Sequence, residues 1–323
     1  MTVRAGCRSA QVGDAERGLS FPLLLFYPTD AAEAPLAFGP YSIDAAADAA
    51  PLPGQYPLLL LSHGGGGTPL AYRELALFLA RSGYIVALPE HAGNNRHDNA
   101  LENSDENLLR RPRHLQLSID AVLADAHLAP HVRPGGVGVI GHSMGGYSAL
   151  ALAGGTPYNR AGQPLATASD PRVAALVLLA PAAAWFMAPG ALRRVDLPVL
   201  LLTAEHDHMT PPWQGELVRT GVARPALVEA ETIANAGHHS FLCPFPPAML
   251  RPGFVPAHEP ARLRPAALPA ATTDPPAGLP GRPPSTRPSE QLIRICANLR
   301  KSARFPYPPR RLRVCAHVCR TIS

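Results

Sequence analysis

Residues 141–145 read Gly-His-Ser-Met-Gly, a pattern in which one serine stands two residues from a glycine on either side. An apolar run rich in β-branched residues precedes the pattern, and small and apolar residues typical of a helix follow it. A serine at such a strand-to-helix turn projects its hydroxyl from the end of a sheet, because flanking glycines let the backbone cross closely. The pattern therefore predicts that Ser143 is a nucleophile.

A serine hydroxyl attacks only when a neighbouring base takes its proton. Two adjacent histidines, His238 and His239, follow a predicted strand and the dipeptide Ala-Gly. The glycine permits the turn that brings an imidazole back over the serine, and only one of two adjacent side chains can point inward. We take His238 as the base and His239 as the alternative. A pair of surface histidines on a loop is the remaining interpretation.

An acid is needed to orient the base and to stabilise its protonated form. Asp207 lies just past the predicted strand 198–204, and we take it as that acid. Glu205 competes for the role, although its position next to the strand shortens its reach. Asp207 would otherwise be a carboxylate that only caps its loop. With either Asp207 or Glu205 as the acid, the chain order is serine, acid, histidine.

A run of four glycines occupies residues 64–67, directly after the apolar segment 56–62. Backbone N–H groups of glycines can approach a substrate oxygen closely and stabilise negative charge on it. We predict that Gly65 supplies one such donor and that Met144, the residue after the serine, supplies the second. The alternative is a flexible loop without a chemical role.

Three other chemistries fit the sequence poorly. His206, Asp207 and His208 could be read as metal ligands, since alternate residues of a strand share a face, but no further ligand cluster has useful spacing. The pattern G-x-G-x-x-G at 136–141 lies within a predicted strand rather than after one, which argues against a dinucleotide site. The glycine run lacks the Gly-Lys-Ser/Thr of a phosphate-binding loop. We therefore expect no metal and no cofactor.

The elements around these residues alternate between apolar strands and helical patterns, which predicts a mostly parallel sheet with helices on both faces. The predicted strands are 23–28, 56–62, 84–89, 137–140, 173–181, 198–204 and 226–234. The predicted helices are 69–82, 113–128, 147–153 and 212–222. We expect loops at 29–54 and 91–110, the second at the mouth of a site, and a pocket-lining connection at 182–197.

Composition divides the 323 residues into two parts. Residues 1–250 form the predicted catalytic domain. Residues 251–323 contain 14 prolines and 13 Lys and Arg residues against three Asp and Glu residues, whereas the rest of the chain has 16 basic and 21 acidic residues. Proline at this density opposes helices and central strands. We interpret the second part as a Pro/Arg-rich tail that is disordered or frame-shifted.

The same totals limit the partners that we expect. The basic residues are concentrated in the tail, so nothing in the predicted domain indicates nucleic-acid binding. No uninterrupted apolar run reaches about 18 residues, so no membrane span is expected. No secretory signal is visible, and the five scattered cysteines suggest no disulfide framework, so a cytoplasmic location is expected. The sequence does not indicate an oligomeric state.

Several motifs together resemble the bacterial group of predicted dienelactone hydrolases, which is related to platelet-activating factor acetylhydrolases. The similarity extends over roughly residues 20–250. The segments that carry it are 61–67, 72–76, 83–91, 111–113, 141–146 and 236–242. The resemblance implies an α/β-hydrolase fold and a serine hydrolase that acts on small-molecule carboxylic esters.

The resemblance also implies roles for single residues. The catalytic roles fall on Ser143, Asp207 and His238, and the oxyanion positions fall on Gly65 and Met144. True dienelactone hydrolases use a cysteine nucleophile, so the serine found here means that the group's name does not set the substrate.

One departure from the group leaves alternatives open. Relatives of this kind continue after the histidine into a final helix that packs on the sheet, and the sequence from residue 244 onward lacks that pattern. An inactive scaffold therefore remains an alternative to an active esterase. The same three catalytic residues would also serve an amide, thioester or C–C bond hydrolase.

Overall fold

A computed structural model describes residues 2–257 of the chain. Within this range the chain forms ten strands and four α-helices. The strands are β1 (Arg4–Asp14), β2 (Leu19–Thr29), β3 (Ala34–Phe38), β4 (Tyr41–Ala47), β5 (Leu58–Ser62), β6 (Ile85–Pro89), β7 (Val137–His142), β8 (Val173–Leu179), β9 (Val199–Ala204) and β10 (Val228–Ile233). The helices are α1 (Arg73–Arg81), α2 (Asp105–Ala124), α3 (Met144–Leu152) and α4 (Pro212–Gly221). Except for residues 251–257, the predicted tail lies outside the described residues.

The ten strands form one sheet in the order β10-β9-β8-β7-β5-β6-β2-β1-β4-β3. In this order, the first six strands, β10-β9-β8-β7-β5-β6, are parallel to one another, and β2 pairs with β6 in the antiparallel sense. The predicted mostly parallel sheet is therefore confirmed. Parallel strands run in one direction, so the segments that follow β5, β7 and β9 all emerge at one edge of the sheet.

Helices cover both faces of the sheet, as predicted. In β5, Leu59 and Leu61 pack with α1 on one face, while Leu58 and Leu60 pack with α2, α3 and α4 on the other. All four leucines are buried, which is why the strand is apolar throughout rather than alternating. No helix within residues 2–257 is both long and apolar enough to cross a membrane.

The first part of the chain holds more structure than the sequence pattern predicts. The expected loop 29–54 is wrong, because it contains β3 and β4, which pair in the antiparallel sense. In β4, Tyr41, Ile43 and Ala45 are buried and the residues between them are exposed, a pattern that small residues make weak in the sequence. Strand β1 was also not predicted, although it pairs with β2 over the length of both strands.

The second helix begins eight residues before its predicted start at residue 113. Ser104 caps it, since its hydroxyl accepts a hydrogen bond of 3.1 Å from the Asn107 backbone N–H. Pro112 lies inside the helix, where proline removes one backbone hydrogen bond and conceals the helical pattern. The predicted loop 91–110 is therefore too long and ends at Ser104.

A buried ion pair fastens the first two strands to α2. Arg113 Nε and Nη2 donate to the two carboxylate oxygens of Asp14 at 2.7 and 2.8 Å. The Asp14 side chain is fully buried, whereas Arg113 keeps some contact with solvent and also pairs with Glu16 at 3.1 Å. The hydrogen bonds from Arg113 lower the pKa of Asp14 below its usual value.

We expect Asp14→Ala to lower the free energy of unfolding by about 2–4 kcal/mol at pH 7, because Arg113 loses its principal partner. The pKa of Asp14 is lowered in the folded chain, so its contribution is full at neutral pH and is lost as pH falls through that folded pKa. Urea unfolding at pH 7 and at acid pH measures both effects. Asp44→Ala removes an exposed carboxylate from β4 and is the control. Equal losses for the two variants would contradict the prediction.

Candidate active site

Ser143 lies at the turn between β7 and α3, as the sequence predicts. Its backbone has φ 53° and ψ −119°, a region that residues with a side chain rarely adopt. The Ser143 N–H donates to Leu179 O at 3.0 Å, and its carbonyl accepts from the Ala182 N–H at 2.9 Å. Such backbone strain persists only where surrounding structure fixes it, and here the segments of β8 and its following loop do so.

The two glycines of the motif are required by close backbone contacts. A Cβ atom on Gly141 would overlap the carbonyl oxygen of Gly145, and a Cβ atom on Gly145 would overlap that of Ser62. The turn therefore crosses directly over the end of β5. This crossing brings the serine against the loop that follows β5.

Asp207 and His238 meet in a buried hydrogen bond. Asp207 Oδ2 lies 2.8 Å from His238 Nδ1, and both side chains are almost completely buried. Asp207 Oδ1 also accepts from the backbone N–H groups of Met209 and Thr210, at 2.9 and 2.8 Å. Burial favours a raised pKa for Asp207, but the hydrogen bonds from His238 and Thr210 outweigh it and lower the pKa. The carboxylate is thus ionised and fixed in orientation.

The two residues considered as alternatives do not take part in this hydrogen bond. Glu205 is half exposed, and its carboxylate accepts from the Asn235 N–H at 2.7 Å and lies 3.9 Å from His206 Nε2 rather than beside His238. His239 packs edge-on against the ring of His238, and it is His238 that reaches the acid. Within the described range, no three His, Cys, Asp or Glu side chains are arranged to hold a metal ion.

The glycine loop lies against the serine turn. A Cβ atom on Gly64 would lie 3.4 Å from Ser143 Cβ, and one on Gly65 would lie 3.3 Å from Met144 Cγ. The two predicted oxyanion donors therefore belong to neighbouring segments. Gly64 O accepts hydrogen bonds from His63 Nδ1 at 2.7 Å and from the Gly67 N–H at 3.2 Å. That carbonyl shares its peptide group with the Gly65 N–H, so these bonds fix the direction in which the N–H points.

A second set of hydrogen bonds, which sequence analysis did not predict, joins this loop to the histidine. The Tyr72 hydroxyl accepts from the Gly64 N–H at 3.3 Å and donates to His142 Nδ1 at 2.8 Å. His142 Nε2 lies 3.0 Å from the carbonyl oxygen of His238 and therefore carries the proton that it donates there. The loop, the serine turn and the histidine backbone are thus linked by two side chains. The sequence signal for Tyr72 was its place in segment 72–76, one of those that resemble the dienelactone hydrolase group.

Four buried histidines near the glycine loop stay neutral. Burial lowers the pKa of His63 to about 3 and that of His114 to about 3, and the nearby Arg111 cation contributes to both shifts. Burial also lowers the pKa of His91 and of His142 well below the usual value. His63 donates through Nδ1, and its Nε2 accepts from the His91 N–H at 3.1 Å, an arrangement that requires the neutral ring.

A cavity of about 690 Å³ opens beside these groups. Ser143, His238, Gly65 and Tyr72 line it, and its outer wall is largely apolar and aromatic. The described lining includes arginine but neither aspartate nor glutamate. The connection 182–197 was predicted to line a pocket, but it does not line this cavity. Its aromatic residues instead cover the serine helix, for example where Phe186 stacks on Tyr147 with ring centres 5.5 Å apart.

We expect Gly145→Ala to destabilise the fold by about 3 kcal/mol or more, because its methyl group would overlap backbone that cannot move aside. Thermal and urea unfolding measure the loss. Gly13→Ala is the matched control, since a Cβ atom on Gly13 would meet nothing within 4 Å. A stable Gly145→Ala variant with unchanged unfolding would show that the crossing is looser than described.

Stability should fall as pH drops below about 6.5, because the unfolded chain protonates histidines that remain neutral in the fold. Each of the four neutral histidines lowers the free energy of unfolding by about 1.4 kcal/mol per pH unit until pH reaches its folded pKa. Urea unfolding at pH 7.5, 6.5 and 5.5 gives the free energy of unfolding at each pH. Its slope against pH gives the number of protons that the chain takes up on unfolding. His114→Gln should reduce that uptake by about one proton. An uptake below one proton near pH 5.5 would contradict the prediction.

Comparisons with known proteins bear on the fold. The model of the alpha/beta hydrolase family matches residues 58–196, which include the glycine loop and the serine turn. No curated protein matches the chain. Among solved structures, a ferulic acid esterase from Streptomyces cinnamoneus is 22% identical with a TM-score of 0.56, over 75% of this chain and 77% of that chain. A predicted CIB-like hydrolase from Thermoplasma acidophilum is 13% identical with a TM-score of 0.47, over 73% and 91% of the two chains.

The family match covers the central strands, and the esterase structure shares the overall arrangement of the sheet. The TM-score of 0.56 is evidence of a common fold, and at 22% identity it leaves the substrate undecided. Together with the parallel sheet and the helices on both of its faces, these findings show that the chain has the α/β-hydrolase fold.

Proposed function

We propose that the protein is a serine hydrolase that cleaves carboxylic esters through an acyl-enzyme intermediate. The observation that carries this proposal is the buried hydrogen bond of 2.8 Å between Asp207 and His238, because His238 lines the same cavity as the strained Ser143. The histidine of a purely structural ion pair would not need to share a cavity with a serine in a strained conformation. These are the groups that acyl transfer requires, and they follow one another in the order common to this fold.

In the proposed first step, His238 Nε2 takes the proton of Ser143 as the serine oxygen attacks the ester carbonyl carbon. The carbonyl electron pair moves onto its oxygen, where the N–H groups of Gly65 and Met144 stabilise the negative charge. Collapse of this intermediate breaks the carbon–oxygen bond to the alcohol. The departing alkoxide receives the proton from His238, and the acyl group remains on the serine.

In the proposed second step, His238 takes a proton from a water molecule, which attacks the acyl carbon. A second tetrahedral intermediate forms and then releases the carboxylic acid as the serine regains its proton. Asp207 acts in both steps by keeping the proton of His238 on Nδ1, which leaves the lone pair on Nε2 to accept a proton, and by stabilising the imidazolium. The hydrogen bonds from Met209 and Thr210 keep the carboxylate in place for this role.

The cavity supports a small or medium-sized ester as substrate. Its volume lies within the usual range for small-molecule sites, roughly 300–1,000 Å³. Leu242, Phe245, Met249 and Phe254 give its outer part an apolar and aromatic lining that suits an acyl chain or ring. The ferulic acid esterase with the shared fold acts on esters, which supports the reaction class. The more specific group, dienelactone hydrolase-like or acetylhydrolase-like, is part of the proposal.

We expect the protein to hydrolyse p-nitrophenyl esters from acetate to octanoate, and Ser143→Ala to lower kcat by about 10⁴-fold or more, because no other group replaces the serine oxygen. Release of p-nitrophenol measures turnover, and the profile over chain length reports how the cavity accommodates the acyl group. A fluorophosphonate probe followed by peptide mass analysis identifies the modified serine.

Ser42→Ala removes an exposed serine from β4 and is the matched control, which should retain activity and labelling. A folded native chain that neither turns over these esters nor reacts with the probe would contradict the proposal. Activity that survives in Ser143→Ala would contradict the role of the serine while leaving the hydrolase reaction in place.

A further inference from the structure

Arg111 is a buried cation with no buried anion beside it among the residues that the structure describes. It belongs to α2 and has no measurable exposure to solvent. Its guanidinium donates to four oxygens, those of Ser62, His63, Asn94 and Ser148, and none of them is a carboxylate. Burial lowers its pKa to about 9, which still leaves it charged at neutral pH. A buried charge that is not neutralised destabilises a fold, so its presence calls for an explanation.

Three of the four acceptors belong to segments around the glycine loop. Arg111 Nη2 donates to the His63 carbonyl, one residue before Gly64, and lies 3.4 Å from Ser62 Oγ. Nη1 donates to Asn94 Oδ1 at 2.7 Å. That amide oxygen lies 3.8 Å from where a Cβ atom on Gly65 would be. Arg111 thus holds the base of the loop and the side chain packed beside its predicted oxyanion donor.

The fourth acceptor belongs to the serine helix. Arg111 Nε donates to Ser148 Oγ at 3.0 Å, and the Ser148 hydroxyl donates to the carbonyl oxygen of Met144 at 2.8 Å. Met144 carries the second predicted oxyanion donor on its N–H. One guanidinium therefore joins the segments of both donors, from the side away from the cavity, which Arg111 does not line.

We infer that Arg111 is a positioning residue of the oxyanion hole, which fixes the Gly65 and Met144 donors relative to each other and places a positive charge behind them. The inference rests on the proposed function. None of the four described acceptors of Arg111 carries a negative charge, whereas in the proposed reaction negative charge develops on the substrate oxygen. A fixed positive charge that is itself shielded from water, as Arg111 is, stabilises that oxyanion more than it stabilises the neutral ester. The expected signature is an effect on kcat rather than on KM.

Arg113 provides a matched control two residues further along α2. It is also an arginine with bidentate hydrogen bonds, but these go to Asp14, and its charge is balanced in the folded chain. Removing it should destabilise the protein without disturbing the glycine loop. Arg113→Met therefore separates loss of stability from loss of transition-state stabilisation.

The experiment measures kcat, KM and inhibition by phenylboronic acid, which forms a tetrahedral, negatively charged adduct with a reactive serine. We expect Arg111→Met to lower kcat by about 10²–10³-fold and to change KM by less than about threefold, as for loss of an oxyanion donor. The inhibition constant should rise in parallel with the fall in kcat/KM. Arg111→Lys keeps the charge but loses the planar set of N–H donors of the guanidinium, and it should lower kcat by about tenfold.

Ser148→Ala is the variant to use if Arg111→Met does not fold, since it removes only the link to the helix. It should lower kcat by about three- to tenfold, again without a matching change in KM. Arg113→Met should keep kcat and the inhibition constant within about threefold of native despite a lower unfolding temperature.

The outcomes separate the two proposals. A native chain that hydrolyses esters and binds the boronic acid, with kcat and inhibition unchanged in Arg111→Lys and Ser148→Ala, overturns the role of Arg111 and leaves the esterase standing. An equal fall of kcat in Arg113→Met and Arg111→Met also overturns it, because the effect would then follow stability. A folded native chain that shows neither hydrolysis nor boronic acid binding overturns both proposals.

Discussion

The candidate site depends on one steric constraint, the crossing of the serine turn over the end of β5. Gly145 lies so close to the Ser62 carbonyl that no side chain fits between them. This contact sets the distance between the serine and the glycine loop, because the loop leaves β5 at the next residue. It also requires the strained backbone of Ser143, which hydrogen bonds to the neighbouring strand hold in place. The strain is thus a consequence of bringing two strand ends together rather than a separate feature.

Buried polar groups keep this crossing rigid. Beneath the glycine loop, His63, His91 and Arg111 exchange hydrogen bonds with backbone and hydroxyl groups where a hydrophobic core would ordinarily lie. Such groups are tolerated inside a protein only when their partners are fixed in geometry. His63 must stay neutral to satisfy its bonds, and burial keeps both His63 and His91 neutral by lowering their pKa values. A network of this kind stabilises one arrangement of the loop over the alternatives that four successive glycines would otherwise permit.

The strand ends were predictable from the sequence, whereas the contacts between them were not. Buried parallel strands are apolar throughout, so β5, β7 and β9 were identified together with the polar residues that follow them. The predicted loop at 29–54 was wrong because small residues weaken the alternation in β3 and β4. Arg111 and Tyr72 were noticed only as members of segments that resemble the dienelactone hydrolase group. Their partners His63 and His142 lie 48 and 70 residues away along the chain, so the sequence does not reveal the contacts. The roles assigned to Ser143 and Gly65 stay predictions, although the geometry is compatible with them.

The contrast between two arginines shows how one helix serves both stability and the candidate site. Residues two positions apart project about 200° apart around a helix axis, so Arg111 and Arg113 face opposite sides of α2. Arg113 meets a carboxylate on Asp14, and that pair stabilises the fold through complete neutralisation. Within residues 2–257 Arg111 meets only neutral oxygens, so an unbalanced charge lies behind the segments that carry the proposed oxyanion donors. A carboxylate beside Arg111 would stabilise the fold more, but it would also cancel the field that a developing oxyanion requires. The described contacts of Arg111 include no carboxylate. A site that stabilises negative charge in the transition state requires this arrangement, because the positive charge must stay unpaired until the oxyanion forms.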